Sequence, residues 1–242
     1  MAYKIINLIA FAVMVLMNYL ANAIPLNGKT TGALSAEYPN LFVPTGATFS
    51  IWGVIYLMLL LFIILQFFQS NSEIVKAVGW AFAISCLFNS LWIFAWHYQM
   101  LPLSLIIMLG LLITLIFIGV KLQAYSLSIS KASFGIYLGW VCIATIANVT
   151  ALLVNYKWGG WGLSEQTWAI AMVAIGAIIT LLATIRFSNP FVGLAVIWAF
   201  IGIVIEQKGA HPAIVTTAII GITVVGIVTI LSFIGTKGFA KG

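Results

Sequence analysis

Apolar residues run in blocks of about 20, separated by short polar segments that hold nearly every charge of the chain. Eight such blocks lie near 5–24, 46–69, 77–97, 102–120, 132–155, 166–185, 190–205 and 212–234. A helix of about 20 apolar residues crosses a hydrocarbon core of about 30 Å. These blocks are too long and too evenly apolar for barrel strands. The pattern predicts an all-α integral membrane protein of about eight transmembrane helices. The seventh block is short; it extends through Gln207 or lies partly off the membrane axis.

Boundary residues agree with this division. Pro102, Pro190 and Pro212 fall where a first helical turn tolerates a missing N–H, Asn189 precedes its proline as a cap, and Ser164-Glu165 opens the sixth block. His97 to Pro102 marks a tight turn inside a stretch of 44 uncharged residues, 77–120, and so predicts a helical hairpin.

Within the blocks the polar and aromatic residues fall into stripes. Phe49, Trp52 and Tyr56 stand at i, i+3 and i+7 near the start of the second block, on one helical face. Ser85, Asn89, Trp92 and Trp96 form a stripe on the third, Tyr137, Trp140, Ala144 and Asn148 on the fifth, and Asn7, Asn18 and Asn22 on the first. Amides in hydrocarbon need partners, so these stripes should face inward. They are either interhelical glue or the lining of an apolar site with a few amides, suited to a flat lipophilic ligand. Trp80, Trp158, Trp161 and Trp168 lie near block ends and read as interfacial anchors. Gly135 and Gly139 make a small-xxx-small pair, for packing inside the bundle or for a dimer contact.

Composition removes the alternatives. The 242 residues are 64% hydrophobic and 6% charged, with mean hydropathy +1.20. A soluble surface takes about 25% charged residues. The net charge of +6 comes from Lys and Arg scattered singly, which speaks for membrane topology and against nucleic acid. Lys4, Lys76, Lys121, Lys131, Arg186, Lys237 and Lys241 fall on one side, Lys29, Lys157 and Lys208 on the other. The positive-inside rule then puts both termini in the cytoplasm of what reads as a bacterial cell membrane. Lys4, the first apolar block and Ala21-Asn22-Ala23 imitate a signal peptide, but 20 apolar residues exceed its usual core of roughly 7–15, so the block reads as the first transmembrane helix.

Catalytic parts are missing from the pattern. There is no Asp, and none of Glu37, Glu73, Glu165 and Glu206 lies well inside an apolar block. Proton relay and acid–base catalysis lack their usual groups. His97 and His211 sit at block ends and read as interfacial; Cys86 and Cys142 read as small buried hydrophobes without metal spacing. No metal ligand set and no required cofactor is visible.

Three stretches together resemble the tryptophan-rich sensory protein family, also called TspO/MBR or translocator protein. Pro44 to Tyr56 looks like its second-helix signature through Phe49, Trp52 and Tyr56. Phe88 to Phe94, with Asn89 and Trp92, is similar to the third-helix pattern, and Tyr137, Trp140, Ala144-Thr145 and Asn148 to the fifth. The likeness covers about residues 5–156. Ser50-Ile51 replace a usual Gly-Pro, and Leu152 stands where a further Trp is usual; these departures bear on the ligand more than on the fold.

What the resemblance implies is a five-helix bundle over 1–156, roofed by a lid at 26–44, with three additional transmembrane helices in 157–242. It implies a porphyrin, haem or sterol-like lipophilic ligand held by Phe49, Trp52, Tyr56, Asn89, Trp92, Tyr137, Trp140, Ala144 and Asn148, without an axial histidine, and it admits a homodimer. The expected function is binding of such a ligand for sensing or trafficking. The alternatives are an exporter or permease, and an intramembrane enzyme acting on porphyrin or isoprenoid.

Overall fold

Ile129–Asn155 (α7) is the post around which the chain assembles. Of its apolar stretch 61% is buried, against 28–33% for the other five long helices. Its small residues, among them Ser130, Ala132, Ser133, Gly135 and Gly139, let neighbours approach on several sides. The computed structural model describes residues 2–68 and 72–235. Gln69, at the end of the second predicted span, and the cations Lys237 and Lys241 lie outside the described residues.

Ala2–Ala23 forms α1, whose buried face is Asn7, Phe11, Met14, Asn18 and Ala21. A connection follows that contains the short α2, Thr31–Ala36, capped by Thr30, and a 3₁₀ turn, Gly46–Ser50, leading into α3, Ile51–Leu65. Then come α4 (Ser72–Val78), α5 (Ala81–His97), α6 (Leu101–Leu122), α7, α8 (Glu165–Arg186), α9 (Phe191–Gln207) and α10 (Pro212–Gly235). On one flank of α7 pack α3 and α6, with α5 against α6 and α1 against α5. On the other pack α9 and α8, with α10 against both.

Six helices are long and apolar enough to cross a membrane, seven if the bent pair α4–α5 counts as one span. Their outward faces present aliphatic side chains such as Leu57, Ile113, Leu182 and Ile230, as lipid contact requires. The protein is an integral, multi-pass, all-α membrane protein. The eight predicted spans differ from this in two places. The third is broken by 51° where Gly79, at φ +51, ends α4 in the left-handed conformation glycine favours. The seventh runs on through Gln207 but reaches only 17 residues.

Predicted boundaries fall into place. Ser164 Oγ accepts from Thr167 N–H at 3.1 Å, and Asn189 Oδ1 from Phe191 N–H at 3.2 Å. Residues 98–100 close the α5–α6 hairpin. The two glycines of α7 face α9: a Cβ at 135 would stand 2.5 Å from Asn189 Oδ1, and one at 139 would overlap the Val192 carbonyl. That face is therefore a seam within the chain.

Hydrogen bonds gather several cations at one end of the bundle. Gln66 Nε2 donates to the Lys4 carbonyl (3.1 Å), Tyr125 Oη to the Glu73 carbonyl (3.3 Å), Arg186 to Gln123, and Asn189 Nδ2 to the Lys131 carbonyl (2.8 Å). Lys131 is not the free surface charge that counting cations makes it. It is 2% exposed, and its ammonium donates to the carbonyls of Tyr125 (2.8 Å) and Gln123 (3.3 Å), fastening the α6–α7 turn. Lys131→Met keeps the length and removes both bonds; unfolding in detergent should show a loss of about 1 kcal/mol. An unchanged midpoint would mean the bonds contribute nothing.

Candidate functional site

Trp52 stands at the centre of an aromatic cluster beneath the α1–α3 connection. Its ring lies 5.7 Å from Tyr56 and 5.9 Å from Trp92, both stacked, and 6.1 Å from Tyr137 and from Trp140, both edge-on. Phe49 meets Trp140 edge-on at 5.9 Å, and Trp92 stacks on Trp96 at 6.0 Å. Offset and T-shaped pairs are the arrangements the ring quadrupole favours. The helical spacing of the stripes on α3, α5 and α7 turns them toward one another.

Amides fix this cluster from below and from the side. Asn89 Oδ1 accepts from Asn18 Nδ2 at 2.7 Å, and Asn89 Nδ2 donates to Tyr137 Oη at 3.0 Å. Asn148 Oδ1 accepts from Ser104 Oγ (2.8 Å) and Trp92 Nε1 (3.3 Å). Asn22, at the open end of its stripe, is exposed, yet its amide donates to the Asn18 carbonyl at 3.0 Å and accepts from Thr31 N–H at 3.4 Å.

Six of the nine residues named from the sequence line one cavity: Phe49, Trp52, Trp92, Trp140, Ala144 and Asn148. Tyr56, Asn89 and Tyr137 do not line it; Asn89 and Tyr137 belong to the supporting network. The roof comes from Thr31, Ser35, Asn40, Val43 and Pro44, and Trp96 joins the wall with Ile143, Ala147 and Ala151 of α7. Trp96 was legible as the last member of the α5 stripe. The roof residues carry no periodicity; they fall within 26–44, the stretch that the family resemblance named as a lid. As folded, the cavity holds about 40 Å³. Two of its wall residues carry a buried polar atom without a partner, Nε1 of Trp140 and Oγ1 of Thr31.

The roof is tied down from two directions. Lys29 pairs with Glu37, which also accepts from Gln99 Nε2 at 2.8 Å, and Asn27 Nδ2 donates to the His97 carbonyl at 3.0 Å. From the far flank, Gln207 Nε2 donates to the Leu41 carbonyl (3.2 Å) and Trp198 Nε1 to the Thr48 carbonyl (2.9 Å), while Thr45 N–H donates to the Gly202 carbonyl (3.3 Å). Gly202 permits this approach, since a Cβ there would overlap the Thr48 hydroxyl. Burial first, and Glu37 beside it second, raise the Tyr38 phenol against a smaller opposing pull from Lys29, so the roof keeps a neutral hydroxyl at ordinary pH.

His97 departs from the interfacial reading. It is fully buried, with Nδ1 2.8 Å from the Ile93 carbonyl and Nε2 unpartnered. His211 lies at its helix end, with Nδ1 3.3 Å from Gln166 Oε1. Among the described residues no three His, Cys, Asp or Glu side chains come together as a metal site would need. The lining thus presents indole faces, one unpartnered indole N–H and one unpartnered hydroxyl.

A family model described as TSPO-like protein matches residues 4–231. The match runs past the three motif-bearing stretches and through most of α10. No curated protein and no solved structure matches the chain.

Proposed function

Because the chain belongs to the TSPO-like family across nearly its whole length, we propose that it binds a tetrapyrrole or similar lipophilic ligand in the chamber around Trp52, for sensing or trafficking. The observation that supports this most is the chamber itself: four indoles converge on a buried void whose walls hold an unpartnered indole N–H and an unpartnered hydroxyl. Such atoms gain a partner when a ligand with polar edges arrives. In this reading residues 1–156 make the chamber, and 157–242 accompany it, holding its roof through α9. Both termini face the cytoplasm of a bacterial cell, a sidedness supported by the cations gathered at one end.

A void of about 40 Å³ is far below the roughly 300–1,000 Å³ of ordinary ligand sites. Ligand entry therefore requires the roof segment to lift and Trp52 or its neighbours to change rotamer. Binding in this reading is an opening of the chamber, and its affinity is reduced by the cost of that opening.

The test is an absorbance titration of the purified protein with protoporphyrin and haem, with a sterol as competitor. Saturable shifts are expected for wild type. Stacking contributes about 0.5–1.5 kcal/mol per aromatic pair beyond buried area, so Trp52→Ala with Trp140→Ala should weaken binding about fivefold or more. Equal titration curves for the two proteins would remove the ligand from this chamber.

A further inference from the structure

A second and much larger cavity lies beside the first, at the same end of the bundle. Its volume is about 520 Å³, and its walls are Pro39 to Phe42 of the connection, the last turns of α7, and the first two turns of α8 with the loop leading to it. Asn40 lines both cavities, so the connection is a partition between them. This size falls within the range of sites for small molecules, about 300–1,000 Å³.

The α7–α8 loop is a built structure. Lys157 at φ +50, Gly160 at φ +64 and Trp161 at φ +52 take left-handed turns in quick succession. Those turns bring Trp158 and Trp168 to 4.9 Å, with Trp161 against both at 5.3 and 5.8 Å. Trp168 Nε1 donates to the Gly160 carbonyl at 2.9 Å, which fixes its ring on the loop. Trp158 and Trp168 line the cavity; Leu41, Phe42, Val154 and Met172 extend the apolar wall. The sequence alone gave these tryptophans the role of separate interfacial anchors; here they form one cluster.

Two charges stand at this wall, Lys157 and Glu165. Glu165 is the first residue of α8, where the positive end of the helix dipole already compensates a carboxylate. Lys157 follows the end of α7, and the ion pairs among the described residues are Lys29–Glu37 and Lys76–Glu73. Its ammonium has no carboxylate partner there.

We propose that this cavity is a second binding site, for a flat apolar molecule carrying one anionic group, its body against Trp158 and Trp168 and its anion at Lys157. It does not depend on what occupies the chamber around Trp52.

The experiment is equilibrium dialysis of the protein in nanodiscs, with empty nanodiscs as baseline. Three probes share one ring body: 1-pyrenebutyrate, 1-pyrenebutanol and 1-pyrenebutylammonium, each quantified by pyrene emission. Wild type should bind the carboxylate saturably above the baseline, and more tightly than the alcohol or the ammonium. Lys157→Gln, at an exposed position where folding is not at stake, should weaken the carboxylate by about two- to fivefold, the upper part of the range for an exposed charge pair, and leave the alcohol unmoved. Trp168→Ala should weaken carboxylate and alcohol alike. The proposal is overturned if uptake equals that of empty nanodiscs, if the alcohol or the ammonium binds as tightly as the carboxylate, or if Lys157→Gln leaves carboxylate binding unchanged. Failure of porphyrin to bind at the chamber moves none of these readings.

Discussion

Gly139→Ala will destabilise the detergent-solubilised protein by about 3 kcal/mol, at the upper end of ordinary overpacking. The added Cβ would overlap the Val192 carbonyl oxygen of α9 and stand 3.1 Å from Ala195 Cβ. A flexible side chain could swing aside, but a helix carbonyl cannot move without its helix. The matched control is Gly226→Ala on α10, where a Cβ meets nothing within 4 Å. There alanine should be neutral or stabilising by up to about 1 kcal/mol, because glycine is the poorer helix former. Chemical unfolding of both variants, followed by tryptophan emission, gives the comparison. Equal midpoints would mean that α7 and α9 are not packed at the distance described.

Asn89→Leu is expected to cost about 2 kcal/mol, a sum over two buried hydrogen bonds. The Asn18 amide keeps its bond to the Met14 carbonyl at 2.9 Å, so the Tyr137 hydroxyl suffers most. Removing one partner of a buried pair leaves a desolvated group behind, whereas removing both can be nearly neutral. Asn89→Leu with Tyr137→Phe should therefore recover part of what Asn89→Leu alone loses. Strict additivity of the two single losses, in the same unfolding assay, would show that the bond between them is not a stabilising contact.

Much of the architecture was readable because a membrane imposes a single length and a single chemistry on every span. The apolar blocks gave the helices, and prolines with Ser164 and Asn189 gave their starts. The stripes on α3, α5 and α7 gave the faces that meet at Trp52, since a buried amide or indole has few other places to point. What was hidden depended on the relative positions of elements distant in the chain. Lys131 reads as a topological charge until the α6–α7 turn brings two carbonyls within its reach. His97 reads as a membrane-edge residue until the connection folds over it and Asn27 takes its carbonyl. Which residues of the 26–44 stretch form the chamber roof followed no repeat, and the 51° break at Gly79 came from one glycine among many. The cluster of Trp158, Trp161 and Trp168 needed the left-handed loop conformations, which no spacing rule anticipates.

The three hydrogen bonds from the 41–48 stretch to α9 have a consequence for how this chain can be dissected. A fragment ending at Asn155 would keep every motif-bearing helix and still lose the buckle that closes its cover, leaving the Leu41 and Thr48 carbonyls and the Thr45 amide seeking new partners. A loss of stability or of the proposed ligand binding on such a truncation would report an unlatched cover as readily as a missing contact. Point changes at Gln207 and Trp198, which loosen the latch while sparing the helices, separate the two.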